Sequence, residues 1–112
     1  MAGAIVFDET RGWSNASWSF DWVLEVIARS TADLQLAHDL RFIMQMNFGG
    51  LFLEQLSCEH RHEVLRIIDQ VLVPYSEENL PADMPGREDY IKHHLQELVD
   101  LSRAGSAHGD SP

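Results

Sequence analysis

Apolar residues recur at intervals of three and four along most of this chain, which is the spacing of an amphipathic helix. The pattern predicts four helices, over about residues 20–29, 34–48, 57–73 and 87–103. Ser19 and Ser57 stand where N-caps belong, just before the first and third of these helices. Gly49 and Gly50 follow the second helix and can supply the left-handed turn that ends it.

A different pattern stands at the N-terminus, where four consecutive apolar residues at positions 4–7 form the best candidate for a β-strand. Residues 71–73 are a weak partner for it, so its pairing within the chain, across a dimer or with another protein stays open. Residues 8–19 are polar and residues 74–87 are rich in proline, and both segments are typical of loops. The expected fold is therefore all-α, a compact bundle of four to five helices with room for one short N-terminal strand.

The length of 112 residues and an apolar share of 45% fit one globular domain. We expect residues 1–103 to form a single helical domain and residues 104–112 to be a disordered tail, because the tail has few apolar residues. No apolar run approaches the roughly 20 residues needed to cross a bilayer. No basic segment precedes the apolar run at the N-terminus, which argues against a secretory signal and favours a cytoplasmic protein.

The stretch SCEHRHEVLR, residues 57–66, is the densest group of potential metal ligands in the chain. Glu59 and His62 have the Glu-x-x-His spacing of di-iron bundles, but those bundles require a second copy, which this sequence lacks. Cys58 is the only cysteine, so a site with two cysteines and two histidines is excluded, and a reducing compartment is favoured. We interpret the stretch as the polar face of an ordinary helix.

Motifs of nucleophilic catalysis, phosphate binding and dinucleotide binding are also missing from the sequence. We therefore expect a protein that is not an enzyme, with no catalytic residue, no cofactor and no metal. One alternative stays open, a small metal-dependent enzyme in which His93 and His94 join His62 at a zinc ion.

The net charge of −10 is unevenly spread along the chain. Residues 76–89 hold five acids against the single base Arg87, and residues 1–25 hold four acids against Arg11 alone. A negative field of this kind repels nucleic acid and anionic membranes and attracts a basic protein. We expect the acids of these two segments to form the binding surface; they are Asp8, Glu9, Asp21, Glu25, Glu77, Glu78, Asp83, Glu88 and Asp89.

Three tryptophans, Trp13, Trp18 and Trp22, lie within ten residues of one another. They either fill the core or supply the aromatic contacts that dominate protein interfaces. Trp13 stands in a polar segment near the Asp8–Glu9 pair, which makes it the strongest candidate for an exposed anchor. An aromatic side chain bordered by acids suits a surface that binds a basic partner.

The chain resembles the small acidic immunity proteins that protect bacteria against toxins, including those of contact-dependent growth inhibition. The resemblance covers the whole chain in general character: one small domain, a charge of −10, no catalytic motif, and an acidic loop combined with aromatic residues. It implies tight one-to-one binding to a basic toxin domain, often a nuclease, whose phosphate-binding groups would instead contact Asp and Glu side chains.

A second alternative is an adaptor bundle that binds an amphipathic helix of a partner in an apolar groove. The residues that would line such a groove are also typical of a core; they are Met44, Met46, Phe48, Leu51 and Phe52.

Overall fold

The computed structural model describes the backbone of residues 2–109 and the side chains of residues 3–104. The chain begins with two strands, continues with helices, and returns once to the sheet. In chain order the elements are β1 (Ala2–Val6), β2 (Gly12–Ala16), α1 (Ser17–Ser30), α2 (Leu34–Gln45), β3 (Gly50–Phe52), a 3-10 turn (Leu53–Gln55), α3 (Cys58–Gln70), α4 (Leu72–Asn79), α5 (Arg87–Asp89), a π-helical segment (Tyr90–Leu95) and α6 (Gln96–Gly109).

The three strands form one mixed sheet in the order β2-β1-β3. β1 pairs with β2 in the antiparallel sense and with β3 in the parallel sense. The prediction of a compact, mostly helical fold is therefore confirmed, but the three-stranded sheet means that the fold is not all-α. The strand at residues 4–7 was placed nearly correctly, but β2 lies in the segment predicted to be a loop. Trp13 is the one fully buried residue of β2, so the strand lacks the apolar alternation that would reveal it.

One face of the sheet packs against the helices. Ile5, Trp13 and Leu51 lie side by side on the three strands, and each is at most 2% exposed. Gly3 allows β1 to approach α1 closely, because a Cβ atom there would lie 2.3 Å from Cγ of Phe20. The core continues through the inward faces of α2, α3 and the π-helical segment.

The N-cap predictions had mixed outcomes. Ser57 caps α3, because its hydroxyl accepts a hydrogen bond from the His60 N–H at 3.2 Å. Ser19 lies inside α1 and is buried, so the prediction that it caps the helix was wrong. α2 is capped by Asp33, whose carboxylate accepts from the N–H groups of Gln35 and Leu36.

The ends of two other segments also differ from the prediction. α2 ends at Gln45, Asn47 and Gly49 take positive φ angles, and Gly50 already belongs to β3. The segment predicted to be a loop from Pro74 onward begins with α4. Pro74 is tolerated because it lies in the first turn of that helix, where its missing N–H would have no partner.

The last helical region runs without a break from α5 through the π-helical segment into α6. Within the described residues, no helix is both long and apolar enough to cross a membrane. The predicted tail, residues 104–112, falls mainly outside the described side chains, and residues 110–112 fall outside the described backbone. The backbone of residues 104–109 belongs to α6, and the disorder of residues 110–112 stays a prediction.

Candidate protein-binding surface

The polar stretch 57–66 connects α3 to its neighbours. His60 Nε2 lies 3.0 Å from Asp33 Oδ2, and the Thr31 hydroxyl donates to Glu63 at 2.7 Å. Hydrogen bonds from the Arg66 guanidinium and, to a smaller extent, from the Thr31 hydroxyl hold the pKa of Glu63 below its usual value. The described residues contain no group of three or more side chains placed to hold a metal ion. The hydrogen bonds of His60 and Glu63 connect α3 to the turn between α1 and α2.

Trp13 is a core residue, and the expectation that it is exposed was wrong. Its side chain is 1% exposed, and its indole N–H donates to the His94 carbonyl at 3.0 Å. The π-helical segment places this carbonyl opposite β2. The Trp13 ring therefore fastens the sheet to the last helical region and is not available to a partner.

Trp18, and not Trp13, is the exposed tryptophan. It lies at the start of α1, is 51% exposed, and contacts Tyr90 with the rings tilted by 44° and their centroids 4.7 Å apart. Tyr90 is buried and shares a 2.6 Å hydrogen bond with the Ser19 hydroxyl. Burial raises the pKa of Tyr90 to about 12. Trp18 thus packs against a buried, uncharged ring, and about half of its own side chain is exposed to solvent.

Trp22, one helical turn after Trp18, makes a similar contact with α4. Its ring lies 5.9 Å from that of Tyr75, and its indole N–H donates to the Ser76 hydroxyl at 2.9 Å. Ser76 is buried, and the next residue, Glu77, is exposed. The two tryptophans of α1 therefore fix the two segments that carry the acids: Trp18 contacts the residue after Asp89, and Trp22 contacts the residue before Glu77.

All five acids of the segment 76–89 have exposed side chains. Arg87, the base among them, donates to the backbone carbonyls of Leu80 and Glu77 and so closes the loop between α4 and α5. Glu77 and Glu88 line one open cleft together with Arg87 and Lys92. The structure thus brings the two ends of the acidic segment together. Trp18 and these acids are called the aromatic–acidic surface below; the acids are Glu77, Glu78, Asp83, Glu88 and Asp89.

The four N-terminal acids are not part of this surface in the same way. Asp8 is bound by Arg11 at 2.7 Å, which holds its pKa below the usual range, and Glu25 is bound by Arg29 and Arg41. Asp21 is exposed, but it lines a crevice with Asn47 and Gly49 on the side of α2. Glu9 is exposed in the turn between β1 and β2, which Arg11 ties to α6 through the Leu101 carbonyl.

Most of the arginines pair with carboxylates that lie outside the acidic segment 76–89. Five of the seven pair with a carboxylate; they are Arg11, Arg29, Arg41, Arg66 and Arg103. The other two, Arg61 and Arg87, donate to backbone carbonyls. The five acids of residues 76–89 have no arginine as an ion-pair partner among the described contacts, although Arg87 and Lys92 line the cleft with Glu77 and Glu88.

The five apolar residues proposed to line a groove differ in their exposure. Leu51 is buried and Met44 is half-buried, whereas Met46, Phe48 and Phe52 are 47–60% exposed. Sequence periodicity predicted Phe48 as an inward residue of a long α2. The turn at Asn47 ends that helix early and leaves Phe48 in solvent.

The chain matches no protein-family model, and neither a curated protein nor a solved structure matches it. The geometry of the surface therefore carries the functional argument.

Proposed function

We propose that this protein acts by binding, as an immunity-type inhibitor that captures a basic toxin domain with the aromatic–acidic surface, one toxin domain per chain. The observation that carries the proposal is the position of Trp18. A half-exposed tryptophan contacts a buried tyrosine that directly follows the exposed Glu88 and Asp89 in the chain, which makes it an aromatic contact site next to acids. Aromatic side chains of this kind dominate binding energy once a partner excludes water from them.

Electrostatics support the same surface. Glu77 and Glu78 lie in the last turn of α4, where the negative end of the helix dipole disfavours acids. They contribute nothing to helix stability there, so their placement is better explained by an intermolecular role. Their charges would speed the encounter with a basic partner, and carboxylates would take the places of the phosphates that a nuclease binds.

Capture from the native host tests the proposal. Tagged full-length protein, its Trp18→Ala variant and a Leu34→Ala control are used as bait, and retained proteins are identified by mass spectrometry. Leu34 is a suitable control because it is 83% exposed and lies on another helix. We expect one basic domain, retained at equal stoichiometry by the wild type and the control, and lost or reduced with Trp18→Ala.

The captured domain is then expressed alone and together with the full chain. The proposal requires the domain to stop growth when alone and the chain to restore growth. A captured partner that is acidic, or that is harmless to cells, would contradict the proposal.

A further inference from the structure

The two edge strands of the sheet, β2 and β3, have different surroundings. The β2 edge is tied to the last helical region, where the Asn15 amide lies 2.8 Å from His94 Nδ1 and Trp13 donates to the His94 carbonyl. β3 forms the other edge, with β1 as its partner in the described sheet. The β3 edge is therefore the one open to strand addition.

The pairing of β3 with β1 determines where its backbone groups point. The Ala4 N–H donates to the Gly49 carbonyl at 3.0 Å, and Ala4 lies opposite Gly50 in a parallel ladder. In such a ladder the residues on either side of Gly50 bond to Ala4, so the N–H and C=O of Gly50 point away from β1. The same holds for Phe52, two residues later.

β3 also lacks the side chains that usually protect an edge strand. Short length, charged side chains, prolines and bulges normally prevent edges from pairing with other chains, and of these β3 has only its short length of three residues. Gly50–Phe52 contains no charged side chain, although the chain carries a net charge of −10. The outer side of the edge is apolar, because Phe52 is 47% exposed and its ring lies across Gly50, where a Cβ atom would be 3.0 Å from Phe52 Cε2.

More exposed apolar residues precede β3. Phe42, Met46 and Phe48 are 46%, 52% and 60% exposed, and the rings of Phe42 and Phe48 contact each other at 5.7 Å. These three residues and Phe52 are called the apolar edge cluster. At roughly 200 Å² for each fully exposed side chain, the cluster leaves roughly 400 Å² of apolar surface in water. That is about half of the roughly 800 Å² that each partner buries in a standard interface.

We propose that the β3 edge and the apolar edge cluster bind a second copy of this chain, with the two β3 strands antiparallel across a two-fold axis at Leu51. This register places Gly50 of each chain opposite Phe52 of the other. Both residues have outward backbone groups, so the two pairs exchange four hydrogen bonds and join the sheets into one of six strands. The two Phe52 rings, each of which lies across Gly50 of its own chain, then meet on the face opposite to the core.

A second copy fits this edge better than the basic partner proposed above. The strand has no charge with which to attract a basic segment, and its side chains are complementary to themselves in the two-fold register. The two net charges of −10 repel each other, so the dimer is weak at low salt and is strengthened when salt screens the repulsion. Capture of a basic partner has the opposite dependence on salt.

Sedimentation velocity of the full chain tests the inference, at about 5–500 μM protein and at about 0.05 and 0.5 M NaCl. We expect the mass to rise from 12.7 kDa toward twice that value with concentration, and at lower concentration in the higher salt. Phe52→Lys should weaken the association about tenfold or more, because it places a charge at the edge. Leu34→Lys, which adds the same charge at another exposed apolar side chain, should leave the association nearly unchanged.

Amide hydrogen exchange of the wild-type chain, followed by NMR, provides a second readout that needs no variant. The amides of Gly50 and Phe52 should become protected as the concentration rises. The Leu51 amide points toward β1 and should be unaffected. A chain that stays monomeric at the highest concentration and salt would overturn the inference, and so would a dimer without protection at these two amides.

Discussion

The indole of Trp18 and the phenol of Tyr90 are in contact, with 4.7 Å between their ring centroids and a tilt of 44° between their planes. Trp18 is the second residue of α1 and Tyr90 begins the π-helical segment, so this contact joins two residues that are 72 positions apart in the chain. The contact also brings an exposed tryptophan to the acidic segment. Without it, the segment would be only a charged loop, with no aromatic side chain to desolvate against a partner.

Replacing Trp18 with Ala should accelerate dissociation of the captured partner by about 30-fold, since interface tryptophans contribute about 2 kcal/mol or more. The association rate should change little, because no charge is altered. Surface plasmon resonance with the captured domain measures both rates. Equal dissociation rates for the variant and the wild type would remove Trp18 from the binding surface.

Replacing Trp13 with Ala should instead destabilise the fold by about 3–5 kcal/mol, the usual cost of truncating a buried aromatic side chain. The variant also loses the hydrogen bond to the His94 carbonyl, which fastens β2 to the last helical region. Urea unfolding followed by circular dichroism measures the change. A Trp13→Ala variant as stable as the wild type would show that the ring is not in the core.

Acid should weaken the contact between α3 and the α1–α2 turn. Arg66 and Thr31 lower the pKa of Glu63 in the folded state, so the ionised form stabilises the fold above the usual glutamate pKa. This stabilisation, below about 1 kcal/mol for a partly exposed pair, is lost as the pH falls through the folded-state value. Urea unfolding between pH 6 and pH 3 should show the difference between wild type and Glu63→Gln shrinking with acid.

Glu59→Gln is the control for that experiment, because Glu59 is exposed in the first turn of the same helix. A difference between wild type and Glu63→Gln that stays constant down to pH 3 would contradict the assignment of the stabilisation to ionised Glu63.

The helices were largely predictable from the sequence, because their apolar periodicity reports the face that is buried. Ser57 could be identified as a cap for a local reason, since its hydroxyl bonds an N–H three residues away. The sheet could not be predicted in the same way. β3 has three residues and β2 has one fully buried side chain, so neither leaves a periodic signal, and their pairing with β1 depends on contacts distant in the sequence.

The exposure of the proposed surface was predictable in part, whereas its role in binding stays a proposal. The exposed acids of residues 76–89 follow from their charge and the prolines around them. The sequence did not show which tryptophan is exposed, because Trp13 stands among polar residues and yet its side chain is buried against the helices. The four-residue spacing of Trp18 and Trp22 was the available signal, since it places both on one face of α1. The contact between Trp18 and Tyr90 could not be predicted, because it depends on the tertiary structure.

The central claim is that the acids of the aromatic–acidic surface capture a basic partner. Two variants of equal charge test it, Glu77→Lys/Glu78→Lys and Glu54→Lys/Glu59→Lys. Each Glu→Lys change adds two charges, so both variants carry −6 instead of −10, and all four glutamates are exposed. Reversal at Glu77 and Glu78 should not weaken the fold, because lysines suit the C-terminal end of α4.

The measurement is the association rate with the captured domain, by stopped-flow fluorescence at low and at physiological salt. We expect the first variant to associate about tenfold or more slowly than the wild type at low salt and to lose most of the salt dependence. The second should stay within about threefold of the wild type, because it changes the net charge equally but away from the surface. Equal rates for the two variants would contradict the claim.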